Sequence, residues 1–314
     1  MQRPAAAALL AGVCLLAGSV WVACGSRGVA ASLGGHGVLF GSSPGRPRID
    51  VWRAGSGVAR VSRSRDAMDW PQWSPDGKQI AVAGIRGGWD LTAPYDIYVM
   101  RTDGTDVTRL THDAARPRSP VLRAIEPSWS PDGSRLVFTR QFSDRPNDAL
   151  AVVSVRSGRE RTLHVAGDHP VWGRQGIAYV GARGIMLLNP RTGRASVFAS
   201  PHAHIAGLAW SSKGELAALE GEFGQRIVVY SSTGRPVREF GTPSRAAGTC
   251  GATWSPGGTR LLVRVAEYAA LLHRLPHDQR PQPGAYTGLW TVDRSGSQWH
   301  RLPIDARTCN ASWR

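Results

Sequence analysis

A five-residue string recurs through the chain and constrains its fold more than any other feature. Trp-Ser-Pro-Asp-Gly stands at residues 73–77 and 129–133, and shortened copies begin at Trp172, Trp210, Trp254 and Trp313. The intervals between these tryptophans are 56, 43, 38, 44 and 59 residues. Such intervals are near the forty-odd residues of one β-propeller blade. The six tryptophans therefore predict six repeated units.

Each copy of the string has the composition of a tight turn followed by a strand. Pro sets the first turn dihedral, Asp supplies a side-chain hydrogen bond, and Gly accepts a positive φ. An apolar run rich in β-formers follows, such as residues 79–83 or 135–139. A third run, a second Gly turn and a fourth run complete the unit, as in residues 96–111. Each unit is thus a four-stranded meander, and a ring of such units buries the faces that one unit leaves exposed.

The two ends of the chain predict how the ring closes. Three strand-like runs precede the first copy, at residues 37–40, 49–52 and 57–61, but no Trp-bearing strand comes before them. Trp313 lies in a Trp-bearing strand with no blade after it. We therefore expect an all-β, six-bladed β-propeller of four-stranded antiparallel blades, closed by the C-terminal strand joining the N-terminal blade.

The repeats resemble the TolB-type, WD-like β-propeller repeats of bacterial envelope proteins. That family carries Trp-Ser-Pro-Asp-Gly and later an Asp-Ile-Tyr-Val-Met, Asp-Gly, Leu-Thr segment, which residues 96–111 match almost throughout. The resemblance covers roughly residues 37–314 and is strongest in the second and third blades. In TolB an α/β domain precedes the propeller, whereas here about a dozen residues separate the N-terminal apolar run from the first blade. The resemblance implies the fold and not the role of TolB in the Tol–Pal system.

The N-terminal segment has the layout of an export signal. One positive charge precedes an apolar run at residues 5–23, and small residues follow. Residues 1–31 are therefore read as an export or lipoprotein signal with a short linker, and residues 32–314 as a single propeller. Cys24 is a lipidation candidate, with ordinary cleavage after Ala30 or Ala31 and an uncleaved anchor as the alternatives. We expect an exported protein of the cell envelope or the extracellular space.

Two cysteines in the propeller share one position in the repeat. Cys250 and Cys309 each stand four residues before a motif tryptophan, on the innermost strands of two blades that meet at the ring closure. Equivalent points on adjacent inner strands can reach the separation that a disulfide tolerates, and export supplies an oxidising compartment. The alternative is two buried thiols that share a register. The sequence predicts a Cys250–Cys309 disulfide that holds the ring closed.

The charge balance narrows the class of partner. The chain has 38 Lys and Arg against 23 Asp and Glu, a net charge of +15. A basic exported protein is attracted to anionic envelope polymers or lipid head groups. The sequence has no nucleic-acid recognition motif. We expect a monomer that binds an envelope protein or anionic envelope polymer, with membrane attachment only through an N-terminal lipid or anchor, and no nucleic acid.

Loop lengths predict which face binds. The long connections, residues 84–95, 112–124, 141–148 and 267–286, all open on one face of the propeller, and the first contains Trp89 and Tyr95. Insertions collected on one face of a repeat array usually mark its binding side, although drift in tolerated loops is the alternative. Residues just before the motif tryptophans belong to the channel mouth on that face, and the candidates are Asp69, Glu126, Asp168, His169 and Asn310.

These residues support two functional interpretations. The first is a non-enzymatic exported scaffold that binds a protein or polymer partner through the long-loop face, without cofactor or metal. The second is a calcium-dependent hydrolase, such as a lactonase, that uses the acids of the channel mouth. No Gly-x-Ser-x-Gly nucleophile motif is present, and we expect no peptidase domain after the ring closure. The sequence favours the scaffold.

Overall fold

The computed structural model describes residues 37–41, 48–62, 66–86, 94–113, 121–144, 147–245, 247–268, 287–304 and 310–314. Trp89, Cys24, Cys309 and most of the long connections lie outside them. The described chain forms twenty-four β-strands, β1–β24. In this part of the chain, no helix has the length and hydropathy that a membrane span needs.

The strands form six four-stranded antiparallel sheets, and each sheet is one blade. Their bounds, in chain order, are β1 Val38–Gly41, β2 Ile49–Arg53, β3 Gly57–Arg60, β4 Ala67–Trp73, β5 Gln79–Ile85, β6 Asp96–Arg101, β7 Thr108–Arg109, β8 Val121–Trp129, β9 Arg135–Phe142, β10 Ala149–Ser154, β11 Glu160–Ala166, β12 Asp168–Gly173, β13 Gly176–Gly181, β14 Gly184–Leu188, β15 Ala195–Ala199, β16 Ile205–Trp210, β17 Leu216–Glu220, β18 Arg226–Tyr230, β19 Pro236–Gly241, β20 Ala247–Trp254, β21 Arg260–Glu267, β22 Gly288–Asp293, β23 Trp299–Arg301 and β24 Ala311–Trp313.

The predicted ring closure is confirmed. The first blade has the strand order β24-β1-β2-β3, so the C-terminal strand joins three strands from the N-terminus. Val38 stands opposite Trp313, and Phe40 stands opposite Ala311. Blades 2 to 6 follow along the chain, each with its motif tryptophan on or near the end of the innermost strand. The fold is the six-bladed propeller expected from the repeats.

The Ser-Pro-Asp-Gly residues close the first hairpin of their blades. Ser130 donates its hydroxyl to Asp132 at 2.6 Å, and the backbone N–H of Ser134 donates to the same carboxylate at 3.0 Å. These hydrogen bonds, that from Ser130 first, lower the pKa of Asp132 to about 2. Gly77 and Gly133 have φ of 72° and 70°, where a side chain would be strained. The motif is therefore a structural turn.

Three motif tryptophans, Trp73, Trp129 and Trp254, connect neighbouring blades through their indole N–H groups, whereas those of Trp210 and Trp313 have no hydrogen-bond partner in the described chain. The indole N–H of Trp129 donates to the Gln72 carbonyl at 3.1 Å, and that of Trp254 donates to the Ala209 carbonyl at 3.0 Å. In both cases the acceptor directly precedes the motif tryptophan of the preceding blade. The apolar core lies between blades as well, since one buried cluster combines residues of blades 2 and 3. Repetition of the tryptophan thus stabilises the seams of the ring.

The Asp-Ile-Tyr-Val segment has a structural explanation too. The Asp96 carboxylate, 1% exposed, accepts hydrogen bonds from the Thr111 hydroxyl at 2.7 Å and from the Asp113 N–H at 2.9 Å, and it pairs with Arg109. Thr111 in turn accepts from the Ile97 N–H at 2.9 Å. A buried carboxylate is stable only with such partners. The segment that carries the family resemblance fixes the outer strand of its blade.

Two faces of the disk follow from this topology. The turn face is defined here as the eleven turns that join the first strand of a blade to the second and the third to the fourth, at residues 74–78, 130–134, 174–175, 211–215, 255–259, 54–56, 102–107, 155–159, 189–194, 231–235 and 294–298. The opposite face, called the loop face, carries the remaining connections, including the four long ones.

Candidate functional site

Three inner strands share a bulge at the same distance before the motif tryptophan. Trp70, Glu126 and His169 have φ of 51°, 58° and 49°. Each stands three residues before its tryptophan and directly before a proline. Strand pairing shifts register there, between residues 69 and 72, 125 and 128, and 168 and 171. Non-glycine residues in this conformation cost on the order of 1 kcal/mol or more and cluster at functional positions.

The inner strands enclose a central channel with a volume of about 770 Å³. Five indole rings contribute to its wall, those of Trp70, Trp73, Trp129, Trp172 and Trp210. Glu126, His169 and Asn310 also line the channel. The lining exposes more polar than apolar surface, and a concave cavity with fixed polar groups and aromatic walls is a candidate ligand site.

A partly buried ion pair joins blades 3 and 4 at the bulges. His169 Nδ1 lies 2.7 Å from Glu126 Oε1. The other carboxylate oxygen accepts hydrogen bonds from the His169 backbone N–H at 3.0 Å and from the Thr139 hydroxyl at 2.7 Å. Glu126 and His169 are 43 residues apart in sequence. They come together only because blades 3 and 4 pack against each other. The carboxylate thus has three protein donors.

The pair is charged at neutral pH. Burial would lower the pKa of His169, but the hydrogen bond and the charge of Glu126 outweigh it and raise that pKa to about 9. Burial would raise the pKa of Glu126, but the hydrogen bonds from His169 and Thr139 bring it below the usual value. The channel wall therefore presents an imidazolium held by a carboxylate. Neither group is poised as a free general base near neutral pH.

A hydrogen bond between an amide and a carboxylate joins blades 1 and 2 near the first bulge. The Asn310 side-chain amide donates to Asp69 Oδ1 at 3.2 Å, and the Trp70 backbone N–H donates to the same oxygen at 2.8 Å. Asp69 is 8% exposed. Asn310 lines the channel, and the buried Asp69 carboxylate holds its side-chain amide in place. The predicted Asp69 and Asn310 are brought together at this seam.

Among the predicted acidic residues, Asp168 has the fewest hydrogen bonds to its carboxylate from the described part of the chain. Its Oδ1 is buried without a hydrogen-bond partner in the described part of the chain. Burial raises its pKa, the neighbouring His169 lowers it, and Glu126 and Asp148 raise it. Within the described residues, no group of three or more His, Cys, Asp or Glu is arranged to hold a metal ion.

The remaining predicted residues have different surroundings. Tyr95 is 7% exposed and packs edge-on against Trp70 at 6.2 Å, beneath the Arg123 guanidinium at 5.3 Å. Trp89 lies outside the described residues. Cys250 is on β20 and lines the channel. Because its predicted partner Cys309 also lies outside the described residues, the disulfide stays a prediction.

The prediction from sequence omitted Trp70 and Thr139. Trp70 covers Tyr95 and lines the channel, and Thr139 supports Glu126. For Trp70 a signal was present, since a residue followed by Pro, one further residue and Trp recurs in blades 2, 3 and 4. Thr139 carries no such signal, because its role depends on cross-strand proximity.

Comparisons with known proteins show the fold. No protein-family model matches the chain. An uncharacterised protein of Agrobacterium fabrum is 33% identical over 94 residues, which are 30% of this chain and 28% of that protein. The alignment thus spans less than a third of the relative's length.

Solved structures align over most of the chain. TolB from Acinetobacter baumannii has a TM-score of 0.65 at 16% identity, over 90% of this chain and 67% of TolB. A chain of the nidogen/laminin complex has a TM-score of 0.63 at 10% identity, over 88% of this chain and 98% of that one. A puromycin hydrolase has a TM-score of 0.56 at 15% identity, over 86% of this chain and 44% of the hydrolase. The fold is that of TolB-type propellers, and the low identity fits a chain that is not TolB itself.

Proposed function

We propose that this protein is a non-enzymatic scaffold of the cell envelope that binds a protein or polymer partner at the channel mouth on its loop face. The apolar run at residues 5–23 supports export, with Cys24 as the candidate lipid attachment site. Propellers of this fold occur in a protein–protein complex, that of nidogen and laminin. We expect a monomer, since the closed ring needs no second copy to complete it.

The observation that carries the proposal is how the mouth uses its ionisable groups. Glu126 is saturated by His169 and Thr139, and Asp69 is held by Asn310 and the Trp70 N–H. Groups engaged in this way position the rim of the channel. The groups that remain for recognition are the indole surfaces and the fixed imidazolium of His169. These groups are better suited to contact with a partner than to proton transfer.

Co-purification from the envelope of cells that express the protein tests the proposal. We expect one partner to co-purify with the unaltered protein and to be lost on His169→Ala or on deletion of residues 270–284, a loop-face connection. Tyr268 is kept, because it packs 4.7 Å from Phe223. Ser157→Glu on the turn face is the control and should retain the partner.

Melting temperatures separate a binding defect from unfolding. The deletion and His169→Ala count as evidence only if each variant still unfolds cooperatively. Retention of the partner by both folded variants, or its loss on Ser157→Glu alone, would contradict binding at the loop face.

A second candidate is a metal-dependent hydrolase at the same mouth. The unpartnered oxygen and raised pKa of Asp168 favour it, and a puromycin hydrolase shares the fold. Calcium is the expected metal, and a lactone the expected substrate. A calcium-dependent rise in melting temperature together with lactone hydrolysis, both lost on Asp168→Asn, would replace the scaffold proposal with this one.

A further inference from the structure

The turn face carries an excess of unpaired positive charge. All eleven turns lie in the described part of the chain, and they contain eight exposed Lys and Arg against four exposed Asp. Both lysines of the protein, Lys78 and Lys213, are among the eight. The others include Arg156, Arg174 and Arg191, and the cations are spread over blades 2 to 5. The excess is therefore a property of a surface and not of one loop.

The four carboxylates on this face have local partners. Asp76, Asp103 and Asp132 accept hydrogen bonds from backbone N–H groups of their own turns at 3.1, 3.0 and 3.0 Å. Asp106 lies 3.7 Å from Arg101. None of the eight cations forms an ion pair with a carboxylate in the described part of the chain. The acids shape the turns, while the cations remain available for an external anion.

The chain enters the propeller on this same face. In blade 1, Val38 stands opposite Trp313, the residue that in other blades directly precedes a turn of the turn face. The Gly37 carbonyl accepts hydrogen bonds from the Arg314 N–H at 3.3 Å and from the Trp73 indole at 3.1 Å. Gly37 is thus fixed at the edge of the turn face.

The segment before Gly37 limits how far the propeller can lie from an N-terminal anchor. Thirteen residues, 24–36, separate the apolar run from Gly37. Even fully extended they reach no more than about 45 Å. Attachment at Cys24 or by the apolar run would therefore hold the edge of the turn face within about 45 Å of the bilayer. A single lipid chain binds a membrane weakly, and a polybasic surface beside it makes the attachment stable.

From the charge of the turn face and the point of chain entry, we infer that the turn face docks on an anionic lipid surface. The occupant is the head-group layer of a membrane that contains anionic phospholipid. Docking in this orientation directs the loop face away from the bilayer. Turn-face residues, among them Arg174 and Lys213, also line the channel, so its other end faces the membrane. The inference concerns the face opposite to the proposed partner site, and it holds whether that site binds a scaffold partner or a substrate.

Vesicle binding tests the inference with two matched double variants. Arg156→Gln with Arg191→Gln removes two turn-face charges, and Arg183→Gln with Arg245→Gln removes two exposed charges of the loop face. None of these four side chains has a hydrogen bond or ion pair in the described part of the chain. The proteins, purified as full chains from the host envelope, are sedimented with phosphatidylcholine vesicles with and without phosphatidylglycerol.

We expect phosphatidylglycerol to increase vesicle binding of the unaltered protein, and added salt to reverse the increase. At about 1 kcal/mol for each basic residue near an anionic surface, the turn-face pair should lower partitioning to anionic vesicles roughly 30-fold. The loop-face pair should change partitioning to anionic vesicles by less than about threefold. Binding to neutral vesicles should be the same for all three proteins, since it reports the N-terminal segment.

Two results would overturn the inference. One is equal binding to neutral and anionic vesicles, which would leave the anchor as the whole interaction. The other is an equal loss for both pairs, which would assign the effect to net charge and not to the turn face. Partner co-purification by the same variants is a separate measurement, so failure here leaves the loop-face proposal untouched.

Discussion

The Glu126–His169 pair predicts a specific dependence of stability on pH. His169 titrates near 6.5 in an unfolded chain and at about 9 in the folded protein. A shift of this size corresponds to at most about 3.4 kcal/mol, from about 1.4 kcal/mol for each pH unit. The imidazole is 32% exposed, so solvent screening reduces the contribution, and we expect about 2 kcal/mol.

The sign of the effect follows from the two directions of shift. The raised pKa of His169 stabilises the folded state fully below pH 6.5, and this stabilisation is lost as pH rises toward 9. The lowered pKa of Glu126 stabilises the folded state above its usual value and loses effect as pH falls below it. The pair therefore contributes most between the usual pKa of a glutamate, about 4.3, and that of a histidine, about 6.5.

Urea denaturation of Glu126→Gln at pH 6 and at pH 9.5 checks this reasoning. The free energy of unfolding lost on substitution should be about 2 kcal/mol larger at pH 6 than at pH 9.5, because His169 is charged only at the lower pH. The lost hydrogen bond from Thr139 affects both values and cancels in the difference. Glu239→Gln, which removes an exposed partner 3.3 Å from Arg226, is the control and should show no such difference.

A loss on Glu126→Gln that is equal at the two pH values would refute the account of the pair. So would an NMR titration of the unaltered protein that places His169 near 6.5. Either result would mean that the contact between blades 3 and 4 contributes no ionic stabilisation.

Three further predictions concern the seams and the closure of the ring. Trp254→Phe removes an indole N–H bonded to the preceding blade, whereas Trp313→Phe removes one with no partner in the described chain. Urea denaturation should show the first variant losing about 1 kcal/mol more, and equal losses would count against the seam. Asp96→Asn should lower the free energy of unfolding by about 2 kcal/mol through its buried ion pair, and an unchanged denaturation midpoint would contradict this. Cys250→Ser with Cys309→Ser should lower the free energy of unfolding by about 4 kcal/mol, the value for a disulfide that closes a 59-residue loop. If reductant leaves the melting temperature of the unaltered protein unchanged, the disulfide is contradicted.

The fold was predictable from sequence because its signal is repeated. Trp73, Trp129 and their counterparts stand in equivalent blades, so an error in one unit does not alter the count, and Trp313 without a following blade indicated the closure. The predicted strand at residues 57–61 ends one residue earlier, at Arg60. Local turn chemistry and apolar runs were sufficient for this level of description.

The candidate site was predictable only in part. Position in the repeat identified Glu126, His169 and Asn310 as residues of the channel mouth, which the structure places on the channel wall. Position in the repeat did not identify which of these residues pair, because Glu126 and His169 come together through packing of separate blades. Nor did it indicate that Tyr95 is buried beneath Arg123, since a tryptophan on another strand covers it.

The central claim is that a partner binds at the channel mouth on the loop face. Site-specific photo-crosslinking in living cells tests it most directly, with a photoreactive residue at exposed His202 or His204 on the loop face and, for comparison, at exposed Ser157 or Ser232 on the turn face. We predict one discrete protein or polymer adduct from the loop-face positions that the turn-face positions do not give. The same adduct from the turn face alone, or no adduct from any loop-face position in a folded and exported protein, would contradict the claim.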